Sequence, residues 1–447
     1  MVGIGGSGMC GIAEVLLNLK YHVSGSDLKK SAATERLEKL GARIAEGHAT
    51  ENVQGADVVV ISSAVHDENP EVLEAVRLKV PVIARAEMLA ELMRMKYGIA
   101  VAGSHGKTST TSMIATVLEH GRFDPTVVIG GRLNVYGSNA KLGKGEFLVA
   151  EADESDSSFL HLSPTIAVVT NIDVEHMDHF GDLHALHEAF VQFMNKVPFY
   201  GAALVCIDDP GVQAVLGRVT RRIITYGTSA QADYGLSHVQ QKHRETIFRV
   251  SHHGDTRGPV RLSVPGEHNA LNAVAAIAVA RDMGMEWEEI LPAVESFQGA
   301  DRRFQLKGES RGIMVIDDYG HHPTEVKATL AAARTGWEDR RIVVLFQPHR
   351  YTRTQLLFDQ FCGAFHQADL LIITEIYPAG EAPIEGVSGE KLADGIRRFG
   401  HRNVHYCPDI ASAVDLLAEL CRKGDMVLTL GAGTVTHAGP ELLKRIA

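Results

Sequence analysis

The sequence predicts an α/β protein of three domains, and two observations carry that expectation. Short β-branched runs alternate with longer amphipathic stretches along the chain, among them Asp57 to Ile61, Ile99 to Ala102, Ile166 to Val169, Ile342 to Leu345, Leu370 to Ile373 and Met426 to Leu428. That alternation is what parallel sheets with helical crossovers require. Glycine loops accompany three of the presumed strands, at 3–8, 103–106 and 431–433, so each can open its own crossover. The 447 residues amount to about three times the ~150-residue prior for one domain. Boundaries are expected near 97 and 306, giving domains 1–97, 98–306 and 307–447. Between about 217 and 265 polar and apolar residues alternate around a His-His-Gly-Asp turn at 252–255, which reads as antiparallel hairpins inserted in the middle domain.

Composition narrows the function. With 44 Lys and Arg against 55 Asp and Glu the formal charge is -11. No global basic field exists to hold nucleic acid, so any anionic ligand must be met by a local device. Five cysteines without C-x-x-C spacing fit neither a disulfide framework nor a zinc ribbon and suit a reducing cytoplasm. The start lacks a charged region followed by a long apolar one, and no apolar run approaches ~18 residues, so neither export nor membrane insertion is expected.

The first glycine loop, Gly3-Ile4-Gly5-Gly6-Ser7-Gly8, precedes a helical pattern from Met9 to Lys20, and Asp27 lies where a dinucleotide fold binds a ribose. An NAD site competes with other nucleotides here. The second loop, Gly103-Ser104-His105-Gly106-Lys107-Thr108-Ser109, follows a strand and opens a helix running to about His120. It lacks the first Gly of G-x-x-x-x-G-K-[ST], yet still offers amide donors, a cation for the phosphates and a hydroxyl for Mg2+. The apolar run Phe147 to Ala150 ends in Glu151-Ala152-Asp153-Glu154-Ser155-Asp156, and Glu151, first off the strand, is the candidate Mg2+ ligand. After the next strand, His176 and His179 form His-x-x-His, which allows zinc as well as a structural cluster. Further on, the amides of Asn269 and Asn272 after Gly266-Glu267-His268 suit a purine edge or, equally, a helix cap, Asp318 suits ribose hydroxyls, and Arg350 and Arg353 either clamp a carboxylate or phosphate or form a solvated basic loop.

Six segments in order, Gly3 to Met9, Gly103 to Thr108, Glu151 to Asp156, Gly266 to Asn269, Asp318 to Pro323 and Pro348 to Thr354, resemble the Mur ligase family over nearly the whole chain. The resemblance implies an N-terminal Rossmann-like domain for a UDP-sugar, a central P-loop ATPase domain, and a C-terminal Rossmann-like domain for the amino acid. It implies UDP rather than NAD on Gly5, Gly6, Ser7, Gly8 and Asp27. ATP would lie on Gly103, Ser104, His105, Gly106, Lys107, Thr108 and Ser109, with Asn272, Arg303, Asp318 and Tyr319 around it. Two Mg2+ ions are implied, one on Thr108 and Glu151 and a second on His176, and Lys107, His176, His321, Arg350 and Arg353 are placed at the reacting groups.

The implied activity, in the alanine-adding branch of the family, is ATP-dependent ligation of L-alanine to the lactyl carboxylate of UDP-N-acetylmuramate. It runs through an acyl phosphate in the cytoplasm, giving ADP and phosphate for peptidoglycan synthesis, in a monomer or homodimer. Candidate bases for the amine are His176, His179 and His321. A recycling ligase that attaches a tripeptide to the same UDP-sugar is the nearest rival, and an NAD-dependent dehydrogenase the rival of another class. Relatives acting later carry a carbamate-forming Lys where an ungapped alignment puts Phe190, so no carbamate is expected. The family also has several strand residues before the first glycine, whereas this sequence has only Met1 and Val2. The expectation is a clipped central strand, a weakened UDP site and a natural start upstream.

Overall fold

The structure is a computed structural model that describes residues 1–62, 64–133 and 138–447. Contacts divide the chain into two compact units, one of residues 1–237, 250–260 and 271–297, the other of 238–249, 261–270 and 298–447.

At the start of the first unit the sheet is thin. Ser24–Asp27 pairs in parallel with Arg43–Glu46, and Val59–Ile61 with Val82–Ala84. Val2 forms parallel bridges to Ser26 and to Ile61. Its N–H donates to the Val60 carbonyl at 2.8 Å, and Ser26 N donates to the Met1 carbonyl at 3.0 Å. The expected short central strand is therefore a single bridging residue, aimed at the glycine loop.

The largest sheet has ten strands, in the order Asp255–Leu262, Glu245–His252, Tyr234–Lys242, Ile223–Gly227, Ala202–Cys206, Ile166–Val169, Tyr97–Ala102, Phe147–Glu151, Thr126–Leu133 and Ser138–Lys141. Tyr97–Ala102 lies between Ile166–Val169 and Phe147–Glu151, parallel to both. Its inner residues are fully buried, as the unbroken run Ile99-Ala100-Val101-Ala102 demands of a strand covered on both faces. Ile223–Gly227 is parallel to its neighbours, so the hairpin texture begins at Tyr234 rather than near 217. His253 and Gly254 both have positive φ, as a two-residue hairpin turn needs. One apolar core runs from Ile4 and Ile12 through Ala100, Leu148 and Phe193 to Val215, so residues expected in two domains share it. Phe190 is fully buried there, its ring 5.2 Å from that of Phe159.

In the second unit six strands run in the order Gln305–Ser310, Ile313–Asp318, Asp425–Leu430, Arg341–Phe346, Leu370–Thr374 and Val404–Cys407, all parallel except the first. Separate apolar clusters line its two faces, one around Phe346 and Leu330, the other around Leu345 and Leu417. Among the described residues no helix is long and apolar enough to cross a membrane.

Candidate active site

Two helices begin directly after glycine loops, Ser7–Asn18 after Gly6 and Lys107–His120 after Gly106, and neither N-cap residue contributes a side-chain hydrogen bond. By contrast, Ser31, Asp182, Asp209, Ser388 and Asp409 cap the helices that follow them. The first amides of the two uncapped helices are thus left to bind an anion.

At the second loop the glycines are dictated by space. Gly103 has φ +135° and a Cβ there would lie 2.1 Å from Thr170 Oγ1, while Gly106 has φ +81° and a Cβ would lie 3.0 Å from Asn272 Oδ1. Asn272 therefore rests against the loop. The segment after Ile166–Val169 clamps the loop from below. His105 N donates to Asn171 Oδ1 at 2.8 Å, and the His105 carbonyl accepts from Thr170 Oγ1 at 2.6 Å and Asn171 Nδ2 at 3.0 Å. Asp173 N donates to Ser104 Oγ at 2.9 Å, and His105 Nε2 lies 3.1 Å from Asp173 Oδ2. Thr108 and Ser109 stand in the first turn of the helix.

Lys107 Nζ donates to the Gly103 carbonyl at 2.6 Å and to Glu154 Oε1 at 2.8 Å. Glu154 is 1% exposed, and its Oε2 has no hydrogen-bond partner among the described residues. His176 Nε2 lies 3.7 Å from Glu154 Oε1 and 3.8 Å from Glu175 Oε2. Burial pushes the Glu154 carboxyl up to about 7; Asp153 and Glu175 add to the rise, and Lys107 opposes it. Lys107 is raised despite its own burial because Glu154 and Asp153 favour its charge.

Glu154, Glu175 and His176 can each offer one ligand atom, all within 4.8 Å of one another. An orphaned, buried carboxylate oxygen beside a second carboxylate and an imidazole fits a divalent cation. His179 is not in this group; its Nε2 lies 2.9 Å from Ser157 Oγ, so His-x-x-His does not act as one ligand pair. Glu151 ends its strand outside the group as well. Glu154, three residues on, is folded back by the turn onto Lys107.

At the first glycine loop, Gly5 N donates to Asp27 Oδ2 at 2.8 Å, so Asp27 braces the loop. Gly6 supplies the N-cap, Ser7 begins the helix with its side chain outside the described atoms, and a Cβ on Gly8 would lie 2.7 Å from Arg85 Nη1. Arg85 Nη2 is also 3.5 Å from Asp153 Oδ2. No spacing rule could single out Arg85; only the fold lays it across the loop.

In the second unit the Asp318 carboxylate accepts from Phe304 N at 2.7 Å and from Gly320 N at 2.8 Å. Burial raises its pKa, with Arg303 opposing. The Tyr319 ring packs against two guanidinium groups, Arg302 at 4.9 Å and Arg303 at 5.2 Å. His321 Nδ1 lies 3.0 Å from the Tyr319 carbonyl, and the His321 ring is 5.7 Å from that of His349. His349 Nδ1 is 3.1 Å from Arg353 Nη1, and burial, then His321, Arg353 and Arg350, push its imidazole down to about 3.

Arg350 adopts φ +67° and gives the helix Tyr351–Leu356 no side-chain cap. Glu381 supplies one from afar, accepting from Thr352 N at 3.1 Å and Thr352 Oγ1 at 2.6 Å. Tyr377 completes the brace, its carbonyl accepting from Arg350 N at 2.9 Å and its ring stacked on His349. Sequence reasoning missed His349, Glu381 and Tyr377, although His349 sits inside the basic segment it singled out.

Three family descriptions match the chain: Mur ligase family, catalytic domain, over residues 1–97; Mur ligase middle domain over 101–280; and Mur ligase, glutamate ligase domain, over 302–433. A UDP-N-acetylmuramate--L-alanine ligase of Geotalea daltonii is 59% identical over 445 residues, covering 100% of this chain and 97% of that one. The protein of the same name in Geobacter sulfurreducens is 57% identical over 446 residues, covering 100% and 96%. Among solved structures, a UDP-N-acetylmuramate-alanine ligase of Thermotoga maritima superimposes with a TM-score of 0.84 at 30% identity, covering 99% and 97%. A murein peptide ligase of Psychrobacter arcticus shares the fold, with a TM-score of 0.72 at 24% identity over 100% and 98%.

Proposed function

The chain belongs to the Mur ligase family, and from that premise we propose that it uses ATP to join L-alanine to the lactyl carboxylate of UDP-N-acetylmuramate in the cytoplasm. The observation that carries the reading is Lys107, held at the mouth of an uncapped helix against a buried Glu154 that shares a cation-sized space with Glu175 and His176. Full-length identity of 59% to an alanine-adding relative supports the choice of substrates.

In this reading residues 1–97 bind the UDP-sugar, 98–306 bind ATP and 307–447 bind the amino acid. The amides after Gly6 take the pyrophosphate, with Arg85 alongside. The amides after Gly106 and the Lys107 ammonium take the triphosphate, and Asn272 lines its loop. Glu154, Glu175 and His176 hold one Mg2+, and Thr108 with Glu151 a second. Bound Mg2+ neutralises charge between the triphosphate and the attacking carboxylate. A lactyl carboxylate is a poor acyl donor, so its oxygen attacks the γ-phosphorus, the bond to ADP breaks, and an acyl phosphate results. Lys107 orients the transferred group and offsets its charge. The alanine nitrogen then displaces phosphate. Arg353, held by His349 and supported through Glu381, and Arg350 suit the amino-acid carboxylate.

The test is phosphate release from ATP and Mg2+ in a matrix of UDP-N-acetylmuramate against single amino acids and a tripeptide. Release is expected only with UDP-sugar and L-alanine together, with leakage to glycine and L-serine, because one methyl or hydroxyl discriminates by only ~1–3 kcal/mol. Turnover with tripeptide but not alanine contradicts the assignment, and so does NAD reduction without phosphate release.

A further inference from the structure

We propose that Tyr377 and Glu381 are positioning residues that hold Arg350 and Arg353 for the amino-acid carboxylate, and that the third glycine loop, at 431–433, seats Tyr377; the proposal rests on the ligase reading above. Every contact it uses lies within one compact unit.

The third loop differs from the first two. It leads into a short 3-10 turn, Thr434–His437, and the Val435 N–H already donates to Gln347 Oε1 at 3.0 Å. The space around Gly433 shows what the loop does instead. A Cβ there would lie 2.5 Å from Gln347 Oε1 and 2.7 Å from Tyr377 Cγ, so only a residue without a side chain lets Tyr377 lie against the loop.

From that seat Tyr377 grips the basic segment at backbone and ring. Its N–H donates to the Pro348 carbonyl at 2.8 Å, and its carbonyl accepts from Arg350 N at 2.9 Å. Its ring is stacked on that of His349, with centroids 5.6 Å apart and planes at 14°. His349 Nδ1 lies 3.1 Å from Arg353 Nη1. A guanidinium only donates, so Nδ1 accepts, and the stacked ring fixes the direction of that hydrogen bond.

A tight turn brings Glu381 to the same segment. Ala379 and Gly380 have φ +50° and +90°, and Glu381 N donates to the Pro378 carbonyl at 3.0 Å, which is the form of a type I′ turn. The reversed chain sets the Glu381 carboxylate on Thr352, whose N–H and hydroxyl donate to it at 3.1 and 2.6 Å. Glu375 fixes the base of the loop, its carboxylate accepting from Ile376 N, Gly389 N and the Tyr406 hydroxyl, each at 2.9 Å.

The charge of Glu381 separates positioning from simple attraction. Glu381 has the same sign as the ligand, so by Coulomb energy alone its neutralisation would favour an incoming carboxylate. Weaker binding on neutralisation must come from geometry, and a misplacement of about 1 Å is enough to cost a large factor.

The experiment compares L-alanine with hydroxylamine, which traps an acyl phosphate as the hydroxamate and has no carboxylate to clamp. Phosphate release and hydroxamate formation are followed with ATP, Mg2+ and UDP-N-acetylmuramate in the wild type, Glu381→Gln, Tyr377→Leu, Tyr377→Phe and Gly433→Ala. Glu381→Gln, Tyr377→Leu and Gly433→Ala should each raise the KM for L-alanine by about 10-fold or more. The KM for ATP should not change, and hydroxamate formation should stay close to wild type. Tyr377→Phe keeps the ring and should keep the wild-type KM. An unchanged or lowered KM for L-alanine in Glu381→Gln, equal loss with both nucleophiles, or a Tyr377→Phe as impaired as Tyr377→Leu overturns the proposal while leaving the ligase reading intact. Should Tyr377→Leu or Gly433→Ala fail to fold, Glu381→Gln decides alone. A wild type that converts neither nucleophile removes the ligase reading and the proposal with it.

Discussion

Around Lys107 three carboxylates, Asp153, Glu154 and Glu175, act on one ammonium group, whereas around His349 two guanidinium groups, Arg350 and Arg353, act on an imidazole kept neutral. The first cluster lies in one compact unit and the second in the other. Buried charge without compensation is costly, so the excess of acid in the first cluster favours a cation and the excess of base in the second an anion. The difference also explains how each is braced. The glycine loop beside the acid cluster is clamped at its His105 carbonyl by the side chains of Thr170 and Asn171, while the basic segment relies on Glu381 to cap its short helix.

The largest effect should follow from removing the one ammonium of the acid cluster. Lys107→Ala is expected to lower turnover by about 1000-fold or more, while calorimetric titration with UDP-N-acetylmuramate stays unchanged. Unchanged phosphate release would detach the phosphate loop from the reaction and end the comparison.

A smaller effect sharpens which acid takes the cation. Glu154→Gln and His176→Ala should each raise the Mg2+ needed for half-maximal rate by about 10-fold or more, with a parallel loss in direct Mn2+ binding followed by paramagnetic resonance. Normal Mn2+ affinity in Glu154→Gln would remove Glu154 from the cation group.

The smallest effect is in pH dependence, and its sign differs between the units. Glu154, raised from 4.5 to about 7, binds more protons folded than unfolded across that window, so the acid cluster loses stability as pH rises through it. His268, lowered to about 4 by burial and Arg303, and His349, lowered to about 3, bind fewer protons folded than unfolded. The stability they contribute is lost as pH falls below their ordinary 6.5. Saturating Mg2+ should therefore raise the melting temperature more at about pH 7.5 than at about pH 5.5, and His268→Gln should flatten the acid-side loss without changing the Mg2+ effect. An equal Mg2+ effect at both values would contradict the surplus of buried acid.

Strands such as Ile166–Val169 and Arg341–Phe346 are legible in the sequence because buried parallel strands are continuous apolar runs, and the loop Gly103 to Thr108 because strand, glycine and Lys-Thr are contiguous. Glu154 was hidden because Glu151, Asp153 and Glu154 carry the same charge within four residues, and only the backbone after Glu151 decides which turns inward. Arg85 and Glu381 were hidden for another reason. Each acts on a partner distant in sequence, Gly8 and Thr352, and no periodicity encodes that approach. Val2 is legible as a strand remnant, yet that it bridges Ser26 and Ile61 on both sides is a property of the folded sheet alone.

In the proposed reaction the acid cluster serves transfer of the γ-phosphoryl group of ATP to the lactyl carboxylate. UDP-N-acetylmuramate labelled with oxygen-18 in that carboxylate tests it most directly, with mass analysis of the products after one turnover with ATP and L-alanine. The account predicts one labelled oxygen in the released phosphate, with ADP as the other nucleotide product. Label in AMP, or unlabelled phosphate with the amide formed, would contradict it.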